Sequence, residues 1–209
     1  MINNLEIYLK KRLREKLPGL MAHSQMTNDM RVREMMLKDK NPRKAGVLIL
    51  IYRHEDSLQI PMIMRPIYNG VHSGQMAFPG GRFEKTDKDL IETALRETHE
   101  EIGVKKERHH VIGTLTDLYI PPSNTMVTPV IALAQNKPRF VPDPREVAAI
   151  HEFSINDFLN PNNIQEVNIA IAANYKIKTP GFVINGNIIW GASAMMMNEF
   201  LHVLDDFLG

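Results

Sequence analysis

The most informative segment of the chain is Lys88-Asp89-Leu90-Ile91-Glu92-Thr93-Ala94-Leu95-Arg96-Glu97-Thr98-His99-Glu100-Glu101-Ile102-Gly103. It predicts a helix over residues 88–102, because Asp89 is an N-cap residue three positions before Glu92 and Gly103 stands where helices commonly end. A rotation of about 100° per residue brings five side chains into one buried stripe. These are Ile91, Ala94, Leu95, Thr98 and Ile102.

Three carboxylates of this helix, those of Glu97, Glu100 and Glu101, fall on the side away from the stripe. Like charges one turn apart, and anions near a helix C-terminus, both disfavour a helix. Two interpretations stay open: an acidic face exposed to water and partly balanced by Arg96, or a site for a hard divalent cation, which prefers carboxylate oxygens. The Gly80-Gly81 turn upstream favours the cation site, because it would bring backbone amides and the helix into one pocket.

Working outward, helical and extended patterns follow one another without regular βαβ alternation. Helical spacing is found at residues 3–16, 28–37, 154–159 and 192–208, and a polar linker at 38–44. Apolar runs predict strands at residues 45–52, 60–64, 111–120 and 126–134. The Gly-rich residues 69–81 are predicted to be a loop, and Asn185-Gly186 predicts a β-hairpin between residues 182–184 and 187–190. The fold class is therefore mixed α/β.

Composition excludes several classes of protein. The chain has 209 residues, enough for one domain with additions, and no Cys, which excludes disulfide scaffolds, thiolate nucleophiles, zinc–thiolate sites and Cys-ligated iron–sulfur clusters. Its formal net charge of +1 gives no general attraction to nucleic acid or to acidic membranes. The longest apolar runs are about half of a membrane span, and we expect no signal peptide. The expected compartment is the cytoplasm.

Two further groups of residues have simple interpretations. His109-His110 follows a charged turn, and its two adjacent imidazoles point in different directions, so it is predicted to lie on the surface. The run Met195-Met196-Met197 is predicted to be core or a dimer contact.

The region from Gly81 onward resembles the Nudix box through the run Arg96-Glu97-Thr98-His99-Glu100-Glu101-Ile102-Gly103-Val104. That box reads glycine, five residues, glutamate, seven residues, and then R-E-U-x-E-E-x-G-U, in which U is apolar. The chain departs from it in three ways: Asp87 stands where glutamate is expected, Arg96 comes one residue late, and Thr98 replaces the usual aliphatic residue. The R-E-x-x-E-E core and its glycine are intact.

One branch of that family, the coenzyme A diphosphatases, is similar to this chain in a second motif upstream, approximately L-L-T-x-R-(S or A)-x-x-x-R-x-x-x-G-Q-x-x-F-P-G-G. The matching stretches are Met62-Ile63-Met64-Arg65-Pro66, Gly70, and His72-Ser73-Gly74-Gln75-Met76-Ala77-Phe78-Pro79-Gly80-Gly81. Further similar stretches are Thr93-Ala94-Leu95-Arg96-Glu97, Tyr119-Ile120-Pro121, Val127-Thr128-Pro129-Val130 and Ile189-Trp190-Gly191-Ala192, so that roughly residues 45–207 are covered. Pro66 and Gly70 depart from the motif, which has a small residue and an Arg there, and an Arg could bind a phosphate bidentately.

The resemblance implies a set of site residues. Glu97, Glu100 and Glu101 would hold one or more Mg²⁺ or Mn²⁺ ions, with Glu100 as a ligand or as a proton acceptor. Arg96 would orient a carboxylate, with surface solvation as the alternative, and Glu146 would be the proton acceptor or a plain loop acid. Predicted substrate contacts come from the upstream motif. These are Arg65, His72, Gln75, Gly80 and Gly81, for which structural or loop roles are the alternatives.

The same resemblance implies an α/β/α sandwich with a mixed sheet over residues 45–209 and a helical extension over residues 1–44. The extension could be a cap, an acyl-group contact or a dimerisation arm, and the sequence does not decide among these. The implied activity is metal-dependent hydrolysis of a nucleoside diphosphate derivative, with coenzyme A or acyl-coenzyme A as substrate. The products would then be adenosine 3′,5′-bisphosphate and (acyl-)4′-phosphopantetheine. ADP-ribose or another nucleotide is the rival substrate, and a non-catalytic nucleotide-binding module is the rival class.

Overall fold

Strand β1 (Arg43–His54) lies at the centre of the fold and separates two apolar cores. In the computed structural model, which describes residues 2–28, 32, 41–67, 73–172 and 175–208, Ile49 and Ile51 belong to one core. Leu48, Leu50 and Tyr52 belong to the other, because successive side chains of a strand point to opposite faces. A continuous apolar run is what a strand buried on both faces requires.

Eight of the strands in the described residues form one sheet around β1. The order is β3-β2-β1-β7-β5, with β4 on β1, β6 on β7 and β8 on β2. Strands β1 and β7 run parallel over residues 43–52 and 125–134, and the other pairs are antiparallel, so the sheet is mixed. The remaining bounds are β2 (Ser57–Met64), β3 (Met76–Ala77), β4 (Gly80–Arg82), β5 (His110–Thr114), β6 (Leu118–Ile120), β7 (Thr125–Ala134) and β8 (Ala149–Ser154).

Helices cover both faces of this sheet. Helix α3 (Leu90–Ile102) contributes Ala94 and Ile102 to the core on one face. Helices α1 (Ile2–Arg12) and α5 (Gly191–Leu208) pack on the other face, where Leu5 and Leu9 are fully buried. The predicted α/β/α sandwich is therefore confirmed. The short helices are α2 (Leu20–Ser24) and α4 (Ile155–Leu159), and among the described helices none combines the length and apolarity that crossing a membrane takes.

A second, three-stranded sheet consists of β9 (Ile164–Ala172), β10 (Tyr175–Ile184) and β11 (Asn187–Trp190). The predicted hairpin is confirmed: β10 and β11 pair with Ile184 opposite Asn187. Asn185 and Gly186 have φ of 50° and 79°, as a two-residue turn between antiparallel strands requires.

Some elements differ from the sequence prediction. The predicted loop at 69–81 contains β3 and β4, since the backbone of β1 pairs with the glycines as Gly46 opposite Gly81. The predicted strand 111–120 is two strands, because Pro129 of β7 has no N–H to continue the ladder. The first helix ends at Arg12, and most of the helix predicted at 28–37 lies outside the described residues. The division of the chain between residues 44 and 45 stays a prediction.

His109 corrects another prediction, because only its neighbour His110 is exposed. His109 is 7% exposed, and neither of its ring nitrogens has a hydrogen-bond partner within the described part of the chain. The extended backbone at His109 explains the difference, since adjacent side chains then point to opposite faces. Burial lowers the pKa of the His109 imidazole, so the folded protein keeps this ring neutral.

The methionine run confirms the core interpretation. Met195, Met196 and Met197 are 3%, 3% and 0% exposed in α5 and belong to the core that this helix shares with α1. Flexible thioether side chains suit such an irregular space between two helices and a sheet.

A buried carboxylate joins the N-terminal segment to α5. Glu199 is fully buried, and its Oε2 lies 2.8 Å from Nε2 of His23. Its Oε1 accepts hydrogen bonds from the Gly19 N–H at 3.0 Å and from the Thr116 hydroxyl at 2.6 Å. Burial alone would raise the pKa of Glu199, but these bonds outweigh it and lower the pKa. The carboxylate therefore fastens residues 19–23 to the sandwich.

Removing this carboxylate should destabilise the protein far more than removing one at the surface. We expect Glu199→Ala to lower the free energy of unfolding by about 3–5 kcal/mol, because its buried partners lose their acceptor. Glu6→Ala is the matched control, since Glu6 also faces a basic partner, Lys10 at 2.6 Å, but at the surface. That change should cost less than about 1 kcal/mol. Urea denaturation measures both, and equal losses would contradict the structural role of Glu199.

The buried imidazole predicts acid sensitivity. The pKa of His109 is lowered on folding, so the unfolded chain takes up this proton first as the pH falls. The stability is full above the unfolded-state pKa of about 6.5 and decreases below it. His109→Leu should flatten the decrease between about pH 6.5 and pH 5. His110→Leu should keep most of the decrease, because burial of His109, the larger cause of its lowered pKa, remains. The free energy of unfolding across this range tests the difference, and identical profiles for all three proteins would refute it.

Candidate active site

Helix α3 begins at Leu90, two residues later than predicted, and ends at Ile102 with the predicted caps, Asp89 and Gly103. The Asp89 side chain accepts a hydrogen bond from the Glu92 N–H at 2.8 Å. Gly103 has a φ of 72°, and its N–H donates to the His99 carbonyl at 2.9 Å. Both ends of the helix are thus closed by local interactions, which fixes the position of the carboxylates between them.

The expectation that all three helix carboxylates face away from the protein is wrong for Glu101. Glu101 is 3% exposed, whereas Glu97 is partly buried and Glu100 is exposed. The Glu101 carboxylate faces strand β4, where the Gly80 N–H reaches it. The connection between β7 and β8 covers the same end of α3: the N–H groups of Val141 and Asp143 donate to the carbonyls of Ile102 and Glu101, each at 2.9 Å. The helical pattern identifies the side that meets the sheet, but not the side that a distant loop covers.

Paired glycines bring strand β4 against these acids. The Gly80 N–H donates to Oε2 of Glu101 at 2.8 Å. A Cβ at Gly81 would lie 2.4 Å from the carboxylate carbon of Glu97, and a Cβ at Gly80 would lie 2.4 Å from the Gly46 carbonyl oxygen. Only glycine permits both approaches, since Gly80 also has a φ of 148°.

A third carboxylate comes from the connection between β7 and β8. Oxygen atoms of Glu97, Glu101 and Glu146 all lie within 4.8 Å of one another. Glu146 lies in a tight turn in which its N–H donates to the Asp143 carbonyl at 3.1 Å. The next residue, Val147, is buried and holds this turn against the protein. The structure therefore brings together a helix and a loop, although Glu101 and Glu146 are more than forty residues apart in the sequence.

Arg96 forms a hydrogen-bond network that shares Glu97 with the carboxylate cluster. Its Nε and Nη2 donate to the two oxygens of Asp87 at 2.9 and 3.0 Å, and Nη1 donates to both Glu97 and Glu100 at 3.0 Å. The Arg96 hydrogen bonds hold the pKa of Asp87 well below its usual range, and Asp87 raises the pKa of Arg96 in return. Asp87 also accepts from the Thr93 hydroxyl at 2.9 Å. Asp87 has a shorter side chain than the glutamate that the motif has at this position, and the segment before Arg96 is one residue longer. Asp87 nevertheless reaches Arg96.

Burial sets the electrostatics of the cluster. It raises the pKa of Glu101 to about 7, although the Gly80 N–H and the charge of Arg65 act in the opposite direction. Burial likewise raises the pKa of Glu97 above its ordinary value, while Arg96 partly offsets the shift. Because burial makes the charged form of both acids less favourable, a cation placed between them would be stabilised.

The other predicted substrate contacts fall at the edge of the cluster or outside the described residues. Arg65 directly follows β2, and its charge acts on the Glu101 carboxyl by lowering its pKa. The Arg65 N–H donates to the Gln75 carbonyl at 3.1 Å. His72 and Gly70 lie outside the described residues. The sequence did not single out Asp143, although Asp143-Pro144 is a turn signal that could have located the loop carrying Glu146.

Two adjacent glycines should respond differently to substitution. Gly80→Ala forces Cβ into backbone atoms at a positive φ, so we expect a loss of about 3 kcal/mol of unfolding free energy or more. Gly81→Ala meets only the movable end of Glu97, so its stability should stay within about 1 kcal/mol of the wild type. Because Gly81→Ala displaces the Glu97 carboxylate, it should still weaken Mn²⁺ binding. Denaturation curves and Mn²⁺ titration by electron paramagnetic resonance measure the two effects, and a folded Gly81→Ala protein with unchanged Mn²⁺ affinity would contradict this geometry.

Comparison with known proteins agrees with this arrangement. The model of the NUDIX domain family matches residues 42–174 of the chain. A protein described as the uncharacterized Nudix hydrolase NudL, from Pectobacterium atrosepticum, is 39% identical over 115 residues, which are 55% of this chain and 59% of that protein. Mitochondrial coenzyme A diphosphatase NUDT8 from Homo sapiens is 29% identical over 136 residues, 65% of this chain and 58% of that protein. The chain thus spans less than two thirds of the length of these two relatives.

The fold is also shared with a solved structure. The crystal structure of a Nudix hydrolase from M. smegmatis, RenU, has a TM-score of 0.55 and covers 80% of this chain and 88% of that chain at 16% sequence identity. At this identity the likeness concerns the fold alone. Since the family model matches more than half of its residues, the chain belongs to the NUDIX domain family.

Proposed function

We propose that this protein hydrolyses the diphosphate linkage of a nucleoside diphosphate derivative with the help of Mg²⁺ or Mn²⁺, and that its substrate is coenzyme A or acyl-coenzyme A. The products are then adenosine 3′,5′-bisphosphate and (acyl-)4′-phosphopantetheine. The observation that carries the hydrolytic part is the carboxylate cluster between α3 and the connection from β7 to β8, in which oxygens of Glu97, Glu101 and Glu146 lie within 4.8 Å of one another.

The donor set fits a hard divalent cation. Carboxylate oxygens are the ligands that Mg²⁺ and Mn²⁺ prefer, and the raised pKa values of Glu97 and Glu101 mean that a positive charge there relieves an unfavourable burial. In the proposal Glu97 and Glu101 hold the ion together with Glu100, an exposed acid one residue before Glu101 that lies outside the cluster of oxygens within 4.8 Å. When bound, the ion neutralises the diphosphate and lowers the pKa of a coordinated water.

The remaining roles belong to side chains at the edge of the cluster. Glu146 is exposed and lies beside Glu97 and Glu101, where it accepts the proton of the attacking water. Arg65 contacts a substrate phosphate, because its charge already reaches the cluster. Arg96, fixed by Asp87, orients Glu97 and Glu100 without touching substrate.

Support for coenzyme A comes from two sources. One relative is described as a coenzyme A diphosphatase, and the upstream motif around Arg65 and Gln75 is similar to that branch. Pro66 and Gly70, where that motif has a small residue and an Arg, favour ADP-ribose as the second candidate.

Product analysis by mass spectrometry tests both the hydrolytic activity and the identity of the substrate. Purified protein with Mg²⁺ or Mn²⁺ receives coenzyme A, ADP-ribose and a mixture of nucleoside triphosphates in parallel. We expect 4′-phosphopantetheine from coenzyme A, and a loss of at least about a hundredfold in Glu97→Gln and Glu101→Gln, because each removes a charged oxygen ligand. Glu166→Gln is the matched control, since Glu166 pairs at 3.0 Å with Lys178 in the three-stranded sheet.

The possible outcomes distinguish an error in the substrate from an error in the reaction. Turnover of ADP-ribose alone would support diphosphate hydrolysis but contradict coenzyme A as the substrate. Absence of all turnover in the wild type, or full activity in Glu97→Gln and Glu101→Gln, would overturn the hydrolytic function and favour a nucleotide-binding module.

A further inference from the structure

A cleft of about 390 Å³ lies at the N-terminal end of α3, the helix that carries Glu97 and Glu101. Leu90 and Ile91 of the first turn of α3 line it, together with Lys44, Phe83 and Thr128. Phe83 is 39% exposed, unusually open for so large an apolar side chain. None of these residues takes part in the site described above.

The cleft and the cluster are connected through two elements. On α3, Leu90 lies seven residues before Glu97 and eleven before Glu101, spacings that put all three on one face, and Leu90 to Glu97 is about 10 Å along the axis. On the sheet side, Phe83 comes two residues after Gly81, which touches Glu97. The Phe83 N–H donates to the Lys44 carbonyl at 3.0 Å, so the aromatic ring and the lysine stay together.

The chemistry of the cleft is apolar with a cationic rim. Lys44 and Lys88 are exposed at its edge, and neither ammonium group has a carboxylate partner within the described ranges of the chain. The one acid of the lining, Asp89, is engaged as the N-cap of α3 through the Glu92 N–H. An aromatic face beside two free ammonium groups suits a planar base that carries a phosphate.

We propose that this cleft binds the adenosine end of the substrate, with the base against Phe83 and the 3′-phosphate of the ribose between Lys44 and Lys88. This inference rests on the proposed function, because the diphosphate must lie at Glu97 and Glu101. The separation of about 10 Å along α3 is comparable to the length of a nucleoside between its base and its diphosphate. Coenzyme A carries a ribose 3′-phosphate and ADP-ribose does not, so the two lysines make the cleft selective.

Steady-state kinetics with coenzyme A and dephospho-coenzyme A test the assignment, since these substrates differ only in the 3′-phosphate. We expect a lower KM for coenzyme A in the wild type. Lys44→Ala and Lys88→Ala should each raise that KM about tenfold and close the gap between the two substrates, with kcat for coenzyme A nearly unchanged. Phe83→Ala should raise the KM of both substrates about tenfold, because both stack the same base.

Lys85→Ala is the matched control, because Lys85 lies in the same loop as Phe83 and Lys88 but outside the lining of the cleft. It should leave both KM values as in the wild type. Equal effects of Lys44→Ala on both substrates, or none on either, would overturn the phosphate contact.

A binding experiment keeps this test independent of turnover. Calorimetric titration compares adenosine 3′,5′-bisphosphate with adenosine 5′-monophosphate on the wild type and on the double variant Lys44→Ala, Lys88→Ala. A preference of the wild type for the bisphosphate that the double variant loses supports the cleft even if coenzyme A is not hydrolysed. Equal affinity of the wild type for both nucleotides would overturn the cleft while leaving the hydrolytic function intact.

Discussion

Helix α3 lies directly on the backbone of the sheet, and the rest of the site depends on that close approach. A Cβ at Gly46 would stand 2.3 Å from the Leu90 carbonyl oxygen, and one at Gly81 would stand 2.4 Å from the carboxylate carbon of Glu97. Atoms do not pack at such distances, so both positions of the sheet must be glycine, which has no side chain. Because the helix comes this close, Glu97 and Glu101 face the strand instead of bulk water, and the Gly80 N–H can reach Glu101.

This placement gives acids of one short segment opposite properties. Asp87 is 6% exposed, yet its pKa is far below the ordinary value because the Arg96 guanidinium binds both of its oxygens. Glu101 is as deeply buried but has no such partner, and its pKa rises to about 7. One carboxylate is therefore a permanent anion that fixes an arginine. The other is only partly ionised at neutral pH, and a positive group beside it would favour its charged form.

The sequence predicts what local interactions decide. The caps of α3 and the Asn185-Gly186 hairpin follow from neighbouring residues and are confirmed. The burial of Glu101 could not be predicted, because it depends on contacts with strand β4 and with a loop that starts more than thirty residues after the helix. The sequence did offer Glu146 as a proton acceptor, but its distance from Glu97 and Glu101 follows only from the fold. The surface prediction is wrong for His109 because two adjacent side chains on an extended backbone do point in different directions, and one of those directions is the protein interior.

The carboxylate of Glu199 also has a consequence for the order in which the chain is completed. Its partners His23 and Gly19 precede it by 176 and 180 residues. Contacts that join such distant parts of a chain form late, because a long loop must close before they stabilise anything. During synthesis α2 leaves the ribosome long before α5, so His23 and the Gly19 N–H have no Glu199 carboxylate to bind until α5 follows. The sandwich becomes complete only when the last helix of this sequence has emerged and inserted its acid.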